Sequence, residues 1–385
     1  MTKKGEKIIK KGERIKFYSL SRILSFNCLY NMIFGERSNG KTYAVHMYMV
    51  DKFWNKGEQS AIIRRWEEDF RGRNGQATFD GIVSNGEIEK LTKGEWTTIR
   101  YFAGKWYFAR FDEKLNRVVS MEEPFCYGFA LTMGEHYKST SYTKITTILF
   151  DEFLTRDGYI PNEFVSFQNV LSTIIRQRDN VKIFMLGNTV NKYSPYFEEM
   201  GIRNHVEKMK AGDIEIVSYG DSGLTLAIEY CASTKQGKLS DKYFAFDNPK
   251  LKMITGGEWE LALYPHLPYK YTRDEVKFEF FIMFDHQTLH CEVIKLKKKK
   301  DDESRIGVFT YVHRKTTPIQ NEKDIVFSPT YSTNPHHFRK ISKPREKLDK
   351  KISKIFLNER VFYQSNEVGE IVRNYLEWCQ TDKLG

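Results

Sequence analysis

The chain has 385 residues, more than one ordinary domain holds, so two domains are expected. Hydrophobic residues make up 40 % and aromatic residues 15 %, enough for packed cores, while the longest apolar runs, such as Phe278 to Phe284, are far shorter than the roughly 18 residues of a membrane span. The basic start MTKKGEKIIKKGERIK has no apolar signal segment, so a secreted or membrane protein is excluded as an expectation. Five cysteines (Cys28, Cys126, Cys231, Cys291, Cys379) are odd in number and never in CxxC spacing, which reads as reduced core residues of a cytosolic protein. The histidines offer two close pairs, His286/His290 and His336/His337, and neither has partners at zinc spacing.

The net charge of +11 is unevenly placed. Glu292 to Arg360 holds 18 Lys+Arg against 9 Asp+Glu, Met1 to Lys16 holds 7 against 2, and the remainder is slightly acidic. A basic C-terminal part behind a neutral-to-acidic body points to a polyanionic partner for that part.

In chain order, Leu29 to Phe34 (LYNMIF) reads as a short buried strand. The next eight residues, GERSNGKT from Gly35 to Thr42, fit G-x-x-x-x-G-K-[ST], the phosphate-wrapping loop of P-loop NTPases. Its glycines, Gly35 and Gly40, let backbone N–H groups around Ser38 and Asn39 converge on one anion. In this pattern Lys41 reaches the β- and γ-phosphates of ATP, and the Thr42 hydroxyl holds Mg²⁺. Thr42 to Phe53 has helical periodicity, so the phosphates would sit on a helix N-terminus. Gln59 to Arg65 (QSAIIRR) is a second strand; Thr97 to Phe102 and Lys105 to Phe111 form a hairpin around Gly104; Phe125 to Leu131 is a further strand.

Ile145 to Glu152 (ITTILFDE) is an apolar β-branched run ending in two acids, the Walker B pattern. Asp151 binds Mg²⁺ in that pattern and Glu152 orients and deprotonates the attacking water. A glutamate directly after the aspartate points to motor-like ATPases and away from small-molecule kinases. Asn162 to Arg178 has helical spacing, and Val181 to Leu186 is a buried strand ending at Gly187-Asn188. Strands and helices thus alternate over the first 210 residues or so, which argues for an α/β layer with a mainly parallel sheet. Ile214 to Ser218 and Leu224 to Cys231 look like short strands of a connecting segment. From Lys277 a hairpin (FEFFIMF, a turn at Asp285-His286-Gln287, LHCEVIKL) opens a β-led second domain, and helical material from Glu359 to Cys379 closes the chain. The expected division is a P-loop ATPase domain at 1–212, a linker or connecting subdomain at 213–272, and a second domain at 273–385.

With both Walker elements in place, the chain resembles viral DNA-packaging motor ATPases: the large terminase subunits, and in particular the compact encapsidation ATPases of small podoviruses. The resembling blocks are GERSNGKT, IIRR, TTILFDEF, YIPNEF at Tyr159 to Phe164, IIRQRDNVKIFMLGN, and SPYF at Ser194 to Phe197, all in the first half. The resemblance implies a RecA/ASCE-like P-loop domain followed by a smaller α+β domain of RNase H-like fold. It implies Arg176 as an arginine finger serving the neighbouring subunit, with Arg178 as the fallback; read without it, Arg176 is a helix-end arginine pairing with Asp179. It also implies Lys138 as a basic residue near the subunit boundary, Asn188 as a sensor of the γ-phosphate that couples hydrolysis to movement, and Arg37 as the basic residue of the loop. Read without it, Asn188 is a strand-end turn.

Large terminases add a two-metal nuclease held by several carboxylates. Here Asp285 stands at the end of the FEFFIMF strand, where such a fold puts its first acid, while Asp301, Asp302 and Glu303 sit in a lysine-rich loop and Glu367 and Glu370 share a helical face. One acid cannot hold two Mg²⁺ ions, so the domain reads as a vestigial nuclease with a basic nucleic-acid surface. The implied function is ATP-driven translocation of double-stranded DNA into a procapsid by a homo-oligomeric ring, a pentamer by resemblance. Its implied partners are the portal and a structured RNA, and it would act on the procapsid in the host cytoplasm. Two alternatives stay open at this point: an active terminase with a nuclease, and a nucleotide-binding docking module for RNA or portal with little turnover.

Overall fold

In the computed structural model, the described residues are 18–37, 39–137, 140–155, 159–160, 162–189, 194–231, 264–267, 270–284, 286–296, 308–338, 340–341, 347–357 and 360–381. They fall into two compact units, one within residues 1–156 and 162–260, the other within 157–161 and 261–385.

The first unit is built on one sheet of strands β1 (Tyr30–Gly35), β2 (Gln59–Arg64), β3 (Thr98–Phe102), β4 (Lys105–Asp112), β5 (Arg117–Ser120), β6 (Cys126–Ala130), β7 (Ile145–Asp151), β8 (Lys182–Asn188), β9 (Ile214–Ser218) and β10 (Thr225–Tyr230). Their order is β3-β4-β6-β2-β7-β8-β1-β10-β9, with β5 off this path and paired to β4. The six strands from β6 to β10 in that order run parallel, and antiparallel strands flank them on both sides. Strands buried on both faces read as unbroken apolar runs, which is why YNMIFG and KIFMLGN carry no polar alternation. This is the mainly parallel α/β layer expected of a P-loop domain.

The P-loop helix runs from Lys41 to Lys56 and buries Val45, Met49 and Phe53, one residue per turn along the face turned to the sheet. It ends at Gly57, whose left-handed φ of 68° closes the last turn through a 2.8 Å bond to the Phe53 carbonyl. The Glu163–Ile175 helix stops where Arg176 and Gln177 take left-handed φ values of 44° and 66°, short of the Arg178 that periodicity suggested.

Two placements differ from the sequence expectation. β9 and β10 belong to the first sheet, where β10 lies beside the P-loop strand in parallel register, Tyr30 facing Leu226. A chain returning nearly two hundred residues later to cover β1 leaves no local signal, so its strands looked like part of the 213–272 connecting segment. Of the helical material expected from Glu359 to Cys379, the first residues form a strand, β16 (Val361–Tyr363), and the helix itself runs from Asn366 to Thr381.

The second unit is a sheet of β11 (Val276–Phe284), β12 (Gln287–Lys295), β13 (Val308–Arg314), β14 (Val326–Phe327), β15 (His337–Phe338) and β16, in the order β15-β14-β11-β12-β13-β16. β11, β12 and β13 form an antiparallel meander, while β14 and β15 add in parallel beside β11. The second unit is thus a mixed sheet accompanied by helices, an α+β arrangement. One face packs on helical side chains, with Phe280 against Phe356 and Phe284 against Tyr375, and Phe280 also meets Phe327 of β14. The other face carries Glu279, Phe281, His290, Glu292, Tyr311 and His313. All five cysteines are unbridged and buried.

Candidate functional site

The carboxyl ends of β1, β8 and β7 lie side by side, with Gly35 opposite Asn188 and Leu186 opposite Asp151. In open parallel sheets this is the edge where ligands bind. The loop after β1 depends on two glycines. Gly35 has φ +150°, and a Cβ there would meet the Cys231 Cβ at 3.0 Å and its carbonyl at 3.2 Å. Gly40, the residue before the helix, is left-handed at φ 92°.

Lys41 opens the helix and is 6 % exposed. Its Nζ donates to the Glu36 carbonyl at 2.6 Å and to Asn188 Oδ1 at 3.5 Å. Burial pulls its pKa down to about 8, against the opposing pull of Asp151 and Glu36. Its peptide N–H donates to Asn39 Oδ1 at 3.3 Å. Thr42 follows, with its hydroxyl 3.4 Å from Asp151 Oδ1. Two hard oxygens at that separation fit adjacent corners of an octahedral Mg²⁺ shell, whose edge is roughly 3 Å for bonds of 2.0–2.1 Å. Arg37 is exposed, while Ser38 lies outside the described residues.

Asp151 is 7 % exposed, and burial raises its carboxyl pKa while Arg64 opposes the rise. Arg64 Nη2 donates to Asp151 Oδ2 at 2.8 Å from the end of the adjoining strand. The next residue, Glu152, has an exposed side chain on a left-handed backbone with φ 60°. A non-glycine residue there is strained by roughly 1–2 kcal/mol, so its surroundings must hold it.

Arg65 does the holding. Its guanidinium donates to the main-chain carbonyl of Glu152 and, at 2.5 Å, to that of Phe153. It also grips the Glu163 carboxylate with two contacts, 3.0 Å to Oε2 and 2.8 Å to Oε1. Tyr196 completes the cluster by donating to Glu163 Oε1 at 2.8 Å. The side chains of Arg65 and Glu163 are 8 % and 0 % exposed. Sequence reasoning gave no role to Arg64, Arg65, Glu163 or Tyr196. The signal was present in three quoted blocks, IIRR, YIPNEF and SPYF, which converge behind the acid pair.

The two candidate finger arginines separate clearly. Arg178 donates to five main-chain carbonyls, those of Tyr142, Thr143, Ile145, Ile174 and Ile175, at 2.6–3.2 Å. It fastens the helix end to the segment entering β7 and has no donor capacity left for a phosphate. Arg176 is exposed and donates through Nη2 to the Thr140 carbonyl at 2.8 Å. Both sit at the entry end of β7, about 20 Å from Asp151 at roughly 3.3 Å per residue. Arg176 therefore cannot serve its own site. Lys138 and Asp285 lie outside the described residues.

A profile of the family described as podovirus DNA encapsidation protein (Gp16) matches residues 13–82 and 114–239, just over half of the chain. The unmatched interval between them contains β3 and β4. Curated relatives described as DNA packaging proteins come from Bacillus phage phi29 and Bacillus phage B103. The first is 28 % identical over 185 residues, 47 % of this chain and 49 % of its own. The second is 30 % identical over 189 residues, 48 % of this chain and 52 % of its own. The chain thus spans about half the length of the curated relatives it matches. Among solved structures, the Phi-28 gp11 DNA packaging motor is similar in fold, with TM-score 0.51 and 18 % identity over 96 % of this chain and 98 % of that one.

Proposed function

Because the chain belongs to the podovirus DNA encapsidation protein family, we propose that it is a ring-forming ATPase that drives double-stranded viral DNA into a procapsid. The observation that carries this reading is the meeting of Lys41, Thr42, Asp151 and Asn188 at the ends of adjacent parallel strands. A phosphate in the loop takes over the Lys41 amine from the Glu36 carbonyl, and the partial charge of the helix N-terminus adds to its hold. Thr42 and Asp151 would hold Mg²⁺, which would supply neutralisation of charge on the phosphate oxygens. Glu152 takes a proton from the attacking water. The water oxygen bonds to the γ-phosphorus as the bond to the bridging oxygen breaks, and ADP leaves with the electron pair. Asn188, touching Lys41 from β8, is placed to sense whether the γ-phosphate is present.

Arg176 serves the neighbouring copy. Its exposure and its distance from its own Asp151 support a role in trans, which makes hydrolysis depend on ring assembly. Asp151 is already neutralised by Arg64, so the metal must share this carboxylate with a guanidinium or displace it. The RNase H-like unit grips nucleic acid through its basic surface and has no nuclease role. The portal, a structured RNA and a ring of copies, five by resemblance, are the partners of this reading. It places the protein on the procapsid in the host cytoplasm. No helix among the described residues is long and apolar enough to cross a membrane.

The test is packaging itself. Purified protein, procapsids, Mg²⁺ and ATP should render DNA resistant to added nuclease, and Lys41→Ala should abolish that protection. Protection without ATP, or protection that survives Lys41→Ala, would overturn the proposal.

A further inference from the structure

We propose that the second unit binds one divalent transition-metal ion between His290, Glu292 and His313, on the face of its sheet opposite Phe280 and Phe284, with Glu279 as the fourth ligand. This is independent of the nucleotide site. The strand register creates the cluster. His290 on β12 lies directly opposite His313 on β13, and Glu292 is two residues along β12 on the same face. Glu279 on β11 lies opposite Glu292. One ligand atom from each of His290, Glu292 and His313 falls within 4.8 Å of the others.

A tetrahedral ion with bonds of 2.0–2.2 Å needs ligand atoms about 3.4 Å apart. His313 Nε2 and Glu292 Oε2 already stand at 3.3 Å, and His290 Nε2 and Glu279 Oε2 at 2.7 Å. Among His290, Glu292 and His313 the ligand atoms lie within 4.8 Å of one another, so side-chain movements of about 1.4 Å bring these three to the tetrahedral spacing.

Three further observations point to a ligand set more than to a plain ion-pair network. First, His313 Nδ1 lies 3.2 Å from the Arg314 carbonyl. A carbonyl only accepts, so Nδ1 carries the hydrogen and Nε2 turns toward the cluster. Metal-binding histidines are oriented in this way. Second, both rings are clamped: Phe281 stacks on His290 at 4.8 Å and Tyr311 on His313 at 5.4 Å. Third, Arg273 bridges the two carboxylates from outside through their Oε1 atoms, leaving Oε2 of each facing a histidine. Arg273 is 69 % exposed and supplies the cationic charge that an ion would bring to the interior. The Tyr271 hydroxyl also donates to Glu292 Oε2, the oxygen that faces His313, and uses one of its lone pairs.

Two imidazoles with two carboxylates suit Zn²⁺ or Co²⁺. They do not suit Mg²⁺, which prefers an all-oxygen shell and keeps several waters. With four protein ligands the site is closed and structural, tying β11, β12 and β13 together across this face of the sheet.

The test uses the full-length chain stripped with a chelator and titrated with Zn²⁺ against a chromophoric competitor, and separately with Co²⁺. One tight equivalent per chain is expected, with the visible bands of a four-coordinate nitrogen–oxygen site and no near-ultraviolet sulfur charge transfer. His313→Ala and Glu292→Gln should each weaken binding at least tenfold, and His336→Ala should not change it. Arg273→Ala should tighten binding, because it removes the competing cation. Where an alanine variant loses far-ultraviolet circular dichroism, His313→Gln replaces it. No uptake above that of a His-free control protein, uptake indifferent to the His313 and Glu292 variants, or a sulfur charge-transfer band would each overturn the proposal.

Discussion

Arg65→Met is the substitution that probes most sharply how the acid pair is held. It keeps length and apolar volume but removes a guanidinium that serves two main-chain carbonyls and both oxygens of Glu163. Glu163 is then a fully buried carboxylate that has lost its guanidinium partner while Tyr196 still donates to it. Breaking a buried pair from one side costs about 3–5 kcal/mol, a large fraction of the roughly 5–15 kcal/mol that holds a domain. The Glu152 backbone, freed from its φ of 60°, relaxes and moves its carboxylate away from the attacking water. General-base catalysis is worth about 10²–10⁴ in rate, so kcat should fall at least tenfold while ATP affinity changes little. Denaturant midpoints and steady-state kinetics on the same preparations read both effects. Adding Glu163→Gln should restore part of the stability by removing the buried charge that the guanidinium had balanced. Tyr196→Phe should cost only about 1 kcal/mol, since Glu163 Oε1 keeps Arg65. A loss under 1 kcal/mol for Arg65→Met with kcat unchanged would refute the clamp.

Lys41→Ala should lose nucleotide binding, whereas Glu152→Gln should bind ATP and turn it over slowly; equal loss of affinity in both would remove Glu152 from its role as base. Arg176→Ala should bind ATP yet hydrolyse poorly, and mixing it with Glu152→Gln should recover activity, because one interface then pairs an intact site with an intact finger. If demonstrably assembled mixed rings stay inactive, the trans role is wrong. His46 lies in the P-loop helix against Phe79, and burial, aided by Arg64, depresses its pKa from 6.5 to about 3. The unfolded chain therefore binds more protons between those values, and stability falls as pH drops below 6.5 toward 3, by about 2 kcal/mol at pH 5. His46→Leu should flatten that acid limb in urea titrations, and an unchanged slope would contradict the assignment.

What was legible in the sequence is what is local in the chain. The phosphate loop, its helix and the Asp151-Glu152 pair announce themselves within a few residues, because the turn chemistry and the catalytic acids are contiguous. The strand at Thr225–Tyr230 was recognisable as a strand, but its place beside Tyr30–Gly35 was not, since parallel pairing leaves no mark on intervening residues. Arg65, Glu163 and Tyr196 come from three separate segments, and only the fold shows that they form one buried cluster. Arg178 reads like a finger as well as Arg176 does until its five carbonyl partners are counted. The histidines illustrate the same limit. A search for ligand spacing along the chain pairs His290 with His286, whereas the sheet pairs it with His313.

The central claim is that hydrolysis at this P-loop is coupled to DNA. It is tested most directly by the steady-state ATPase rate of the assembled full-length protein with and without long double-stranded DNA, wild type beside Glu152→Gln. The account predicts a rate that rises severalfold with DNA and collapses in the variant under both conditions. A slow rate indifferent to DNA, or stimulation that survives Glu152→Gln, would contradict it.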